Sequence, residues 1–282
     1  MIDRTAAVTD AGTDPNEDTV GYTDAGCWVF DGATGLKDVT RTPAKSDARW
    51  YVHALEREVC DRLASDASLT EIAADAIQAV RARYREFDGE FPPDRVDRPA
   101  AAGMIVRWRP EHLDLFGLAD CLVVIRYEDG RVSTLTDDRL RPFETAAIEV
   151  AHGRVLDGRD IATARQSVLP MLRETRSLLN TPDGYWAFGL IPQAADHAVT
   201  MTLDRSAVDD VLVCSDGFVA AVDTYDCVPN WEALISTVAT HGLTSVVDRI
   251  RAVEERDVEC RRFPRLKPSD DASALYLDLS DQ

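Results

Sequence analysis

The sequence is poor in lysine and lacks long apolar segments. Only three lysines occur among 282 residues (Lys37, Lys45 and Lys267), and 50 acidic residues outnumber 31 basic ones, for a net charge of −19. A field of that sign repels phosphate backbones and anionic lipid heads, which argues against nucleic acid and membrane surfaces as partners. No apolar run approaches the roughly 20 residues of a membrane span. Residues 1–18 lack the basic flank and apolar stretch of a signal peptide, so we expect a cytoplasmic protein.

The acidic, lysine-poor composition is open to two explanations. It suits a salt-rich cytosol, where dissolved cations screen the repulsion among carboxylates, and we favour this halophile interpretation. A GC-rich genome, which favours arginine codons, would give the same shortage of lysine. Hydrophobic residues make up 45 % of the chain, so it can bury a sizeable core.

Several kinds of catalytic motif are absent from the sequence. The six cysteines are scattered without a CxxC pair or a zinc-like Cys/His cluster, which predicts buried free thiols. Ser167 and Ser215 lack a GxSxG elbow, and neither GxxxxGK[ST] nor GxGxxG occurs. Serine hydrolases and enzymes with glycine-rich phosphate loops are therefore excluded.

Apolar periodicity predicts an α+β fold. Helices are predicted at residues 46–63, 68–87, 143–151, 160–179, 230–240 and 244–260, with Pro170 kinking or breaking the helix at 160–179. Strands are predicted at residues 27–30, 102–108, 113–119, 121–127, 132–135, 185–190, 198–203, 211–214 and 273–279. Hairpin connections favour antiparallel sheets, and paired helices must cover them. The prediction is an α+β sandwich that forms a single domain over residues 1–282.

Short acidic motifs stand at the ends of these strands. They are Asn16-Glu17-Asp18, Asp31-Gly32, Ser215-Asp216-Gly217 and Asp270-Asp271, and Asp120 interrupts a further apolar stretch. Carboxylates that converge at a sheet rim raise one another's pKa values, and a divalent cation removes that repulsion. Oxygen ligands without His or Cys suit Mg²⁺ or Mn²⁺. Each motif alone also fits a turn, a helix cap or solvated surface charge.

Taken in this order, the motifs resemble those of the metal-dependent protein phosphatases, the type 2C serine/threonine family, from Asn16 to Leu279. The family's Glu-Asp, Phe-Asp-Gly, Ser-Asp-Gly and Asp-Asn motifs correspond to Glu17-Asp18, Phe30-Asp31-Gly32, Ser215-Asp216-Gly217 and Asp270-Asp271. Its Gly-Asp-Ser segment is reduced to Ala119-Asp120-Cys121.

The resemblance implies a four-layer α-β-β-α sandwich with two central antiparallel sheets and two Mg²⁺ or Mn²⁺ ions at one rim. It implies that Asp31 bridges both cations, that Asp216 and Asp270 complete one site, and that Glu17 and the Gly32 carbonyl hold the other. A water between the cations would attack phosphorus in line, so catalysis would depend on Asp31 and Asp216. The implied substrate is phosphoserine or phosphothreonine in a protein.

Departures from the family pattern leave alternatives open. Asp120, with Asp216, would hold a third and weaker cation, but its Gly and Ser neighbours are lost. Thr13 replaces the arginine that often grips the substrate phosphate, and Arg4 or Arg41 could substitute for it. Ala33 replaces the histidine that follows Asp-Gly in eukaryotic members. The alternatives to a protein phosphatase are a weakly active or inactive phosphatase-like binding or regulatory module, and a phosphatase for small phosphorylated molecules.

Overall fold

The structure is a computed structural model that describes residues 4–36, 40–92 and 94–280. Its strands are β1 (Arg4–Asp10), β2 (Asp18–Thr23), β3 (Gly26–Ala33), β4 (Ala100–Trp108), β5 (His112–Leu118), β6 (Leu122–Tyr127), β7 (Val132–Leu135), β8 (Val199–Asp204), β9 (Val208–Cys214) and β10 (Ala272–Asp278). Its helices are α1 (Asp47–Arg62), α2 (Leu69–Asp88), α3 (Arg141–Leu156), α4 (Ile161–Ser177), α5 (Asp216–Asp223), α6 (Trp231–His241) and α7 (Leu243–Arg256).

The strands form two five-stranded antiparallel sheets that face each other. One sheet has the order β1-β10-β9-β6-β7 and the other the order β2-β3-β4-β5-β8. Successive residues of the central strands face opposite sides, as the pleat requires. In β3, Cys27 and Val29 lie in the core between the sheets, whereas Trp28 and Phe30 pack against helices. Burial on both faces explains why these strands are continuous apolar runs.

Helices cover the outer face of each sheet. The helices α1 and α2 bury Tyr51 and Ile77 against the β2–β8 sheet, and α5, α6 and α7 pack on the other sheet. Ser46 caps α1, and Ser68 and Glu71 form the predicted capping box at the start of α2. The predicted α+β fold with a four-layer α-β-β-α arrangement is therefore confirmed.

Two edge strands, β1 and β2, were not predicted. Among the described strands, β1 pairs with β10 alone and β2 with β3 alone. Their segments, RTAAVTD and DTVGYT, mix apolar with polar residues and carry little strand signal, whereas the edge strands β7 and β8 were predicted.

A predicted strand and a predicted helix break are not found in the structure. Residues 185–190 form isolated bridges, such as Phe188 with Ala101, because no neighbouring strand continues the pairing. The helix α4 does not break at Pro170. Pro170 and Gln166 both lie on its exposed face, so the carbonyl that loses its amide donor is open to water.

The cysteines are free, as predicted, but not all are buried. Cys27, Cys121 and Cys214 are buried, whereas Cys60 is exposed and Cys227 is half-buried. Over the described ranges, no helix is both long enough and apolar enough to cross a membrane.

Candidate functional site

Strand pairing brings three of the predicted acidic residues to one edge of the β1-β10-β9-β6-β7 sheet. The C-terminal end of β9 lies opposite the N-terminal ends of both β10 and β6. The segments that precede β10 and β6 carry Asp270 and Asp120, and the segment that follows β9 opens α5 with Asp216. The Ser215 hydroxyl accepts from the Ser273 amide (3.0 Å), which fixes the start of α5 against β10.

The second sheet contributes two more carboxylates to the same edge. Asp18, at the start of β2, lies directly opposite Asp31, near the end of β3. Side chains that face each other across an antiparallel pair lie on the same side of the sheet. The strand β10 packs against both β2 and β3, so the edges of the two sheets meet.

The carboxyl groups of Asp31 and Asp216 lie close enough to act on each other. Desolvation, followed by the negative charges of Asp216 and Asp18, raises the pKa of Asp31 well above its ordinary value. Two ionised carboxylates at close range repel each other, and a proton or a cation between them removes that repulsion. This pair was predicted from the sequence as the centre of the site, and the structure brings it together.

Asp120 and Asp270 lie beside the same pair. Desolvation, and next the charge of Asp216, raises the pKa of each carboxyl to about 7. The ammonium of Lys267 forms an ion pair with Asp270 and opposes the shift there. The cluster therefore holds protons near neutral pH when nothing else balances its charge.

Asp18 was not among the predicted ligands, although it belongs to the Glu17-Asp18 motif. It is only 4 % exposed. Desolvation raises its pKa to about 8, and the hydroxyls of Ser273 and Ser215 lie near enough to oppose that rise. Neither carboxylate oxygen has a hydrogen-bond partner of good geometry in the described part of the chain. Because a buried carboxyl without a partner is costly, its environment points to a bound proton or cation.

Glu144 is a further acid that sequence reasoning missed. It lies in the first turn of α3. Desolvation, followed by the charges of Asp120 and Asp216, raises its pKa well above the ordinary value, and Lys267 lowers it. It belongs to no acidic motif, so only the packing of α3 reveals it.

Glu17 and Gly32 are adjacent through their backbones. The Gly32 amide donates to the Glu17 carbonyl (3.1 Å). The Glu17 carboxylate accepts from the hydroxyl of Thr34, just beyond β3. A Cβ at Gly32 would lie 2.5 Å from the Glu17 carbonyl oxygen, so this close approach requires glycine.

Asp271 organises the loop before β2, a role that the sequence did not reveal. Its carboxylate accepts from the backbone amides of Gly12 (3.0 Å), Thr13 (3.2 Å) and Glu17 (2.7 Å). Asp271 is buried, so these bonds hold the loop firmly against the acidic edge.

Two arginines were proposed as substitutes for the residue that grips the substrate phosphate. The backbone amide of Arg41 donates to Asp47 (2.9 Å) at the start of α1. The side chain of Arg4 lies outside the described residues.

The donor chemistry of this edge fits a hard divalent cation. Within residues 4–36, 40–92 and 94–280, no three His, Cys, Asp or Glu side chains form a ready-made metal site. The available donors are nevertheless carboxylate oxygens, and those of Asp18 and one of Asp216 lack partners among these residues. Such oxygens are the ligands that Mg²⁺ and Mn²⁺ prefer.

Comparison with known proteins identifies the family. Residues 11–251 match the family described as Protein phosphatase 2C. The chain therefore belongs to the protein phosphatase 2C family, as its motifs predicted. No curated protein sequence matches it significantly.

The fold is similar to those of solved serine/threonine phosphatases. The catalytic domain of PstP in complex with two manganese ions is 15 % identical, with a TM-score of 0.56 and coverage of 98 % of this chain and 97 % of that one. Stp1 from Staphylococcus aureus is 12 % identical, with a TM-score of 0.55 and coverage of 99 % and 95 %. MsPP from Mycobacterium smegmatis, in complex with cacodylate, is 18 % identical, with a TM-score of 0.55 and coverage of 98 % of each chain. At these identities the likeness establishes the fold.

Proposed function

We propose that this chain is a Mg²⁺- or Mn²⁺-dependent phosphomonoester hydrolase that acts on phosphoserine or phosphothreonine in proteins. The observation that carries the proposal is the convergence of Asp31, Asp216, Asp18 and Asp270 at one edge, where strand pairing places their segments and their charges act on Asp31. Carboxylates so placed need an intervening positive charge or proton. Family membership and the two manganese ions of the PstP structure support divalent cations in that role.

The proposed roles follow from the positions of the side chains. Asp31 would contribute oxygens to both cations, Asp216 and Asp270 would complete one site, and Glu17 with the Gly32 carbonyl would hold the other. Bound cations would supply Lewis-acid chemistry that activates water and neutralises phosphoryl oxygens. The protein's own contribution is to hold these oxygens in a rigid and partly desolvated frame.

Two further acids extend the proposed site. Asp120, with Asp216, would hold a third and weaker cation, and Glu144 lies near enough to add negative charge there. Asp18 would orient the Asp31 side of the site, because its carboxyl is buried next to Asp31.

The buried thiols support attack by water rather than by a protein nucleophile. Burial raises the pKa of the Cys214 thiol well above its ordinary value. Burial, and next the charges of Asp31 and Asp120, does the same for Cys121. A protonated, buried thiol is a poor nucleophile.

Hydrolysis assays on matched variants test the proposal. The purified protein should hydrolyse an aryl phosphate and a phosphothreonine peptide with Mn²⁺, and chelator should stop the reaction. Asp31→Asn and Asp216→Asn should each lose at least about a hundredfold in kcat, because each removes a charge from the reacting centre. Asp129→Asn, on the exposed β6–β7 hairpin, is the matched control and should keep full activity. Circular dichroism checks the fold of each variant, and full activity in folded Asp31→Asn would refute the proposal.

One observation favours the second candidate, a phosphatase-like binding module with little activity. Lys267 already forms an ion pair with Asp270, one of the proposed ligands. Cation binding by calorimetry without hydrolysis of any phosphopeptide would support this candidate. A panel that also includes small phosphorylated molecules would separate a protein phosphatase from a small-molecule phosphatase.

Further predictions concern the extent of the domain, the location of the protein and its partners. We propose that residues 1–282 form a single phosphatase domain, which the family match over residues 11–251 supports. The cytoplasmic location, the adaptation to high salt and the lack of nucleic-acid or membrane partners stay predictions.

A further inference from the structure

The loop between α7 and β10 is a preformed structure that presents one lysine to the acidic edge. At its start, the Asp257 carboxylate accepts from the backbone amides of Arg261 (2.8 Å), Arg262 (3.1 Å) and Phe263 (3.0 Å). The Arg265 guanidinium then donates to Asp257 (2.8 Å). Charge-assisted bonds of this kind fix the course of a loop that has no regular secondary structure.

The second half of the loop is held as firmly as the first. Arg265 is only 8 % exposed. Its guanidinium donates to the carbonyl of Pro268 (3.1 Å), and the Cys260 thiol contacts the carbonyl of Lys267 (3.5 Å). The backbone on both sides of Lys267 is therefore anchored, and its side chain extends from a defined position.

The ammonium of Lys267 lies among the proposed cation ligands. It forms an ion pair with Asp270, and the negative charges of Asp216 and Asp31 also act on it. Glu144 of α3 also faces it. The other described lysine, Lys45, pairs with Asp14 on the open surface, where the two side chains are 66 % and 81 % exposed.

We infer that the Lys267 ammonium is a tethered counter-cation of the carboxylate cluster and competes with a divalent cation for Asp270. The inference rests on the proposed cation site but does not require hydrolysis. In the absence of a divalent cation, Lys267 balances part of the charge that the edge accumulates. When a divalent cation binds, the ammonium must leave Asp270 or share it, and either change lowers the affinity.

The alternative is an ordinary surface ion pair, which contributes little to stability or binding. The side chains of Lys267 and Asp270 are 42 % and 30 % exposed, and surface ion pairs can have the same exposure. The difference is that an anchored loop holds Lys267 on Asp270, at the edge where the charges of Asp216 and Asp31 also act on it. Removing its charge should therefore change the affinity of the whole cluster.

Calorimetric titration with Mn²⁺ tests the inference on four proteins. Because a unit charge within a few ångströms repels a doubly charged ion strongly, Lys267→Met should bind Mn²⁺ at least about tenfold more tightly than the wild type. Lys267→Arg keeps the charge and should stay within about twofold of the wild type. Arg131→Met removes one positive charge at the opposite end of β6, from a pair that is 74 % and 55 % exposed, and should also stay within about twofold.

A measurement on the wild-type protein covers the case in which Lys267→Met fails to fold. Protein labelled with ¹³C-lysine contains three lysines, so its Cε–Hε spectrum is simple, and Lys267→Arg assigns the relevant peak. Saturating Mg²⁺ should shift the Lys267 peak and leave the Lys45 peak in place.

The outcomes separate this inference from the proposed function. Equal Mn²⁺ affinity in the wild type and folded Lys267→Met, or a Lys267 peak that ignores bound Mg²⁺, would overturn the inference alone. Binding only after Lys267→Met would support the inference and refute a cation-dependent wild-type enzyme. No binding in any of the four proteins would overturn both.

Discussion

Without divalent cations, the protein should become less stable as the pH rises from 5 to 8. Asp18 is one of the buried acids responsible, together with Asp120 and Asp270, because burial raises its pKa from an ordinary 3.8 to about 8. A carboxyl whose pKa is higher in the folded state binds its proton more tightly when folded. Its contribution to stability is complete below the pKa of the unfolded chain and is lost as the pH rises through the pKa of the folded protein.

The size of the effect follows from proton linkage. For a group that is protonated only in the folded state, each rise of one pH unit lowers the free energy of unfolding by about 1.4 kcal/mol, or by about 4 kcal/mol over three units. Because Asp18 interacts with Asp216 and Asp271, we expect about 2–4 kcal/mol from Asp18 itself. A chain of 282 residues unfolds with an entropy of about 0.6 kcal/mol/K, so Asp18 alone should lower the melting temperature by about 3–7 °C, and the other buried acids should add to this fall.

Differential scanning calorimetry in chelator at pH 5 and pH 8 measures this change. Asp18→Asn should reduce the dependence by the share of Asp18, whereas Asp129→Asn on the exposed hairpin should leave it unchanged. Millimolar Mn²⁺ at pH 8 should restore the lost stability, because the cation replaces the proton. Equal or higher stability at pH 8 in chelator would refute the electrostatic reasoning.

Three substitutions test the frame around the site. Asp271→Asn should lower the free energy of unfolding, measured in urea, by about 1–2 kcal/mol, because its bonds to three loop amides lose their charge. An unchanged free energy of unfolding would mean that other contacts hold the loop. Arg251→Met should lower the free energy of unfolding by about 3 kcal/mol, because it leaves Glu254 without its ion-pair partner and Glu254 is only 5 % exposed. Arg249→Met, on the exposed face of the same helix, is its control, and equal losses would contradict this account. Gly217→Ala should lower the melting temperature by several degrees, because the alanine Cβ would lie 2.1 Å from the Asp271 carbonyl oxygen. An unchanged melting temperature would show that α5 can shift.

The sequence predicted the parts of the fold that are buried on both sides. Strands such as β4 and β9 are continuous apolar runs because helices cover one face and the other sheet covers the opposite face. The edge strands β1 and β2 have a weak apolar pattern, so they were missed. Residues 185–190 are as apolar as a strand, but burial of Trp186 and Phe188 does not require a continuous ladder.

The candidate site could be predicted only where acids occupy strand ends. Asp31 and Asp216 were found because each follows or interrupts a buried strand and belongs to a short motif. Glu144 and Lys267 were not, because their positions depend on how α3 and the loop before β10 pack. Those are tertiary contacts between distant parts of the chain, and no local spacing encodes them.

The central claim is that two divalent cations bind at the acidic edge with Asp31 between them. Crystals soaked in Mn²⁺ at pH 8, with diffraction recorded at the manganese absorption edge, test it most directly. Two anomalous peaks should lie in contact with the Asp31 carboxylate, one of them also touching Asp216. Anomalous density confined to other surface carboxylates would contradict the claim.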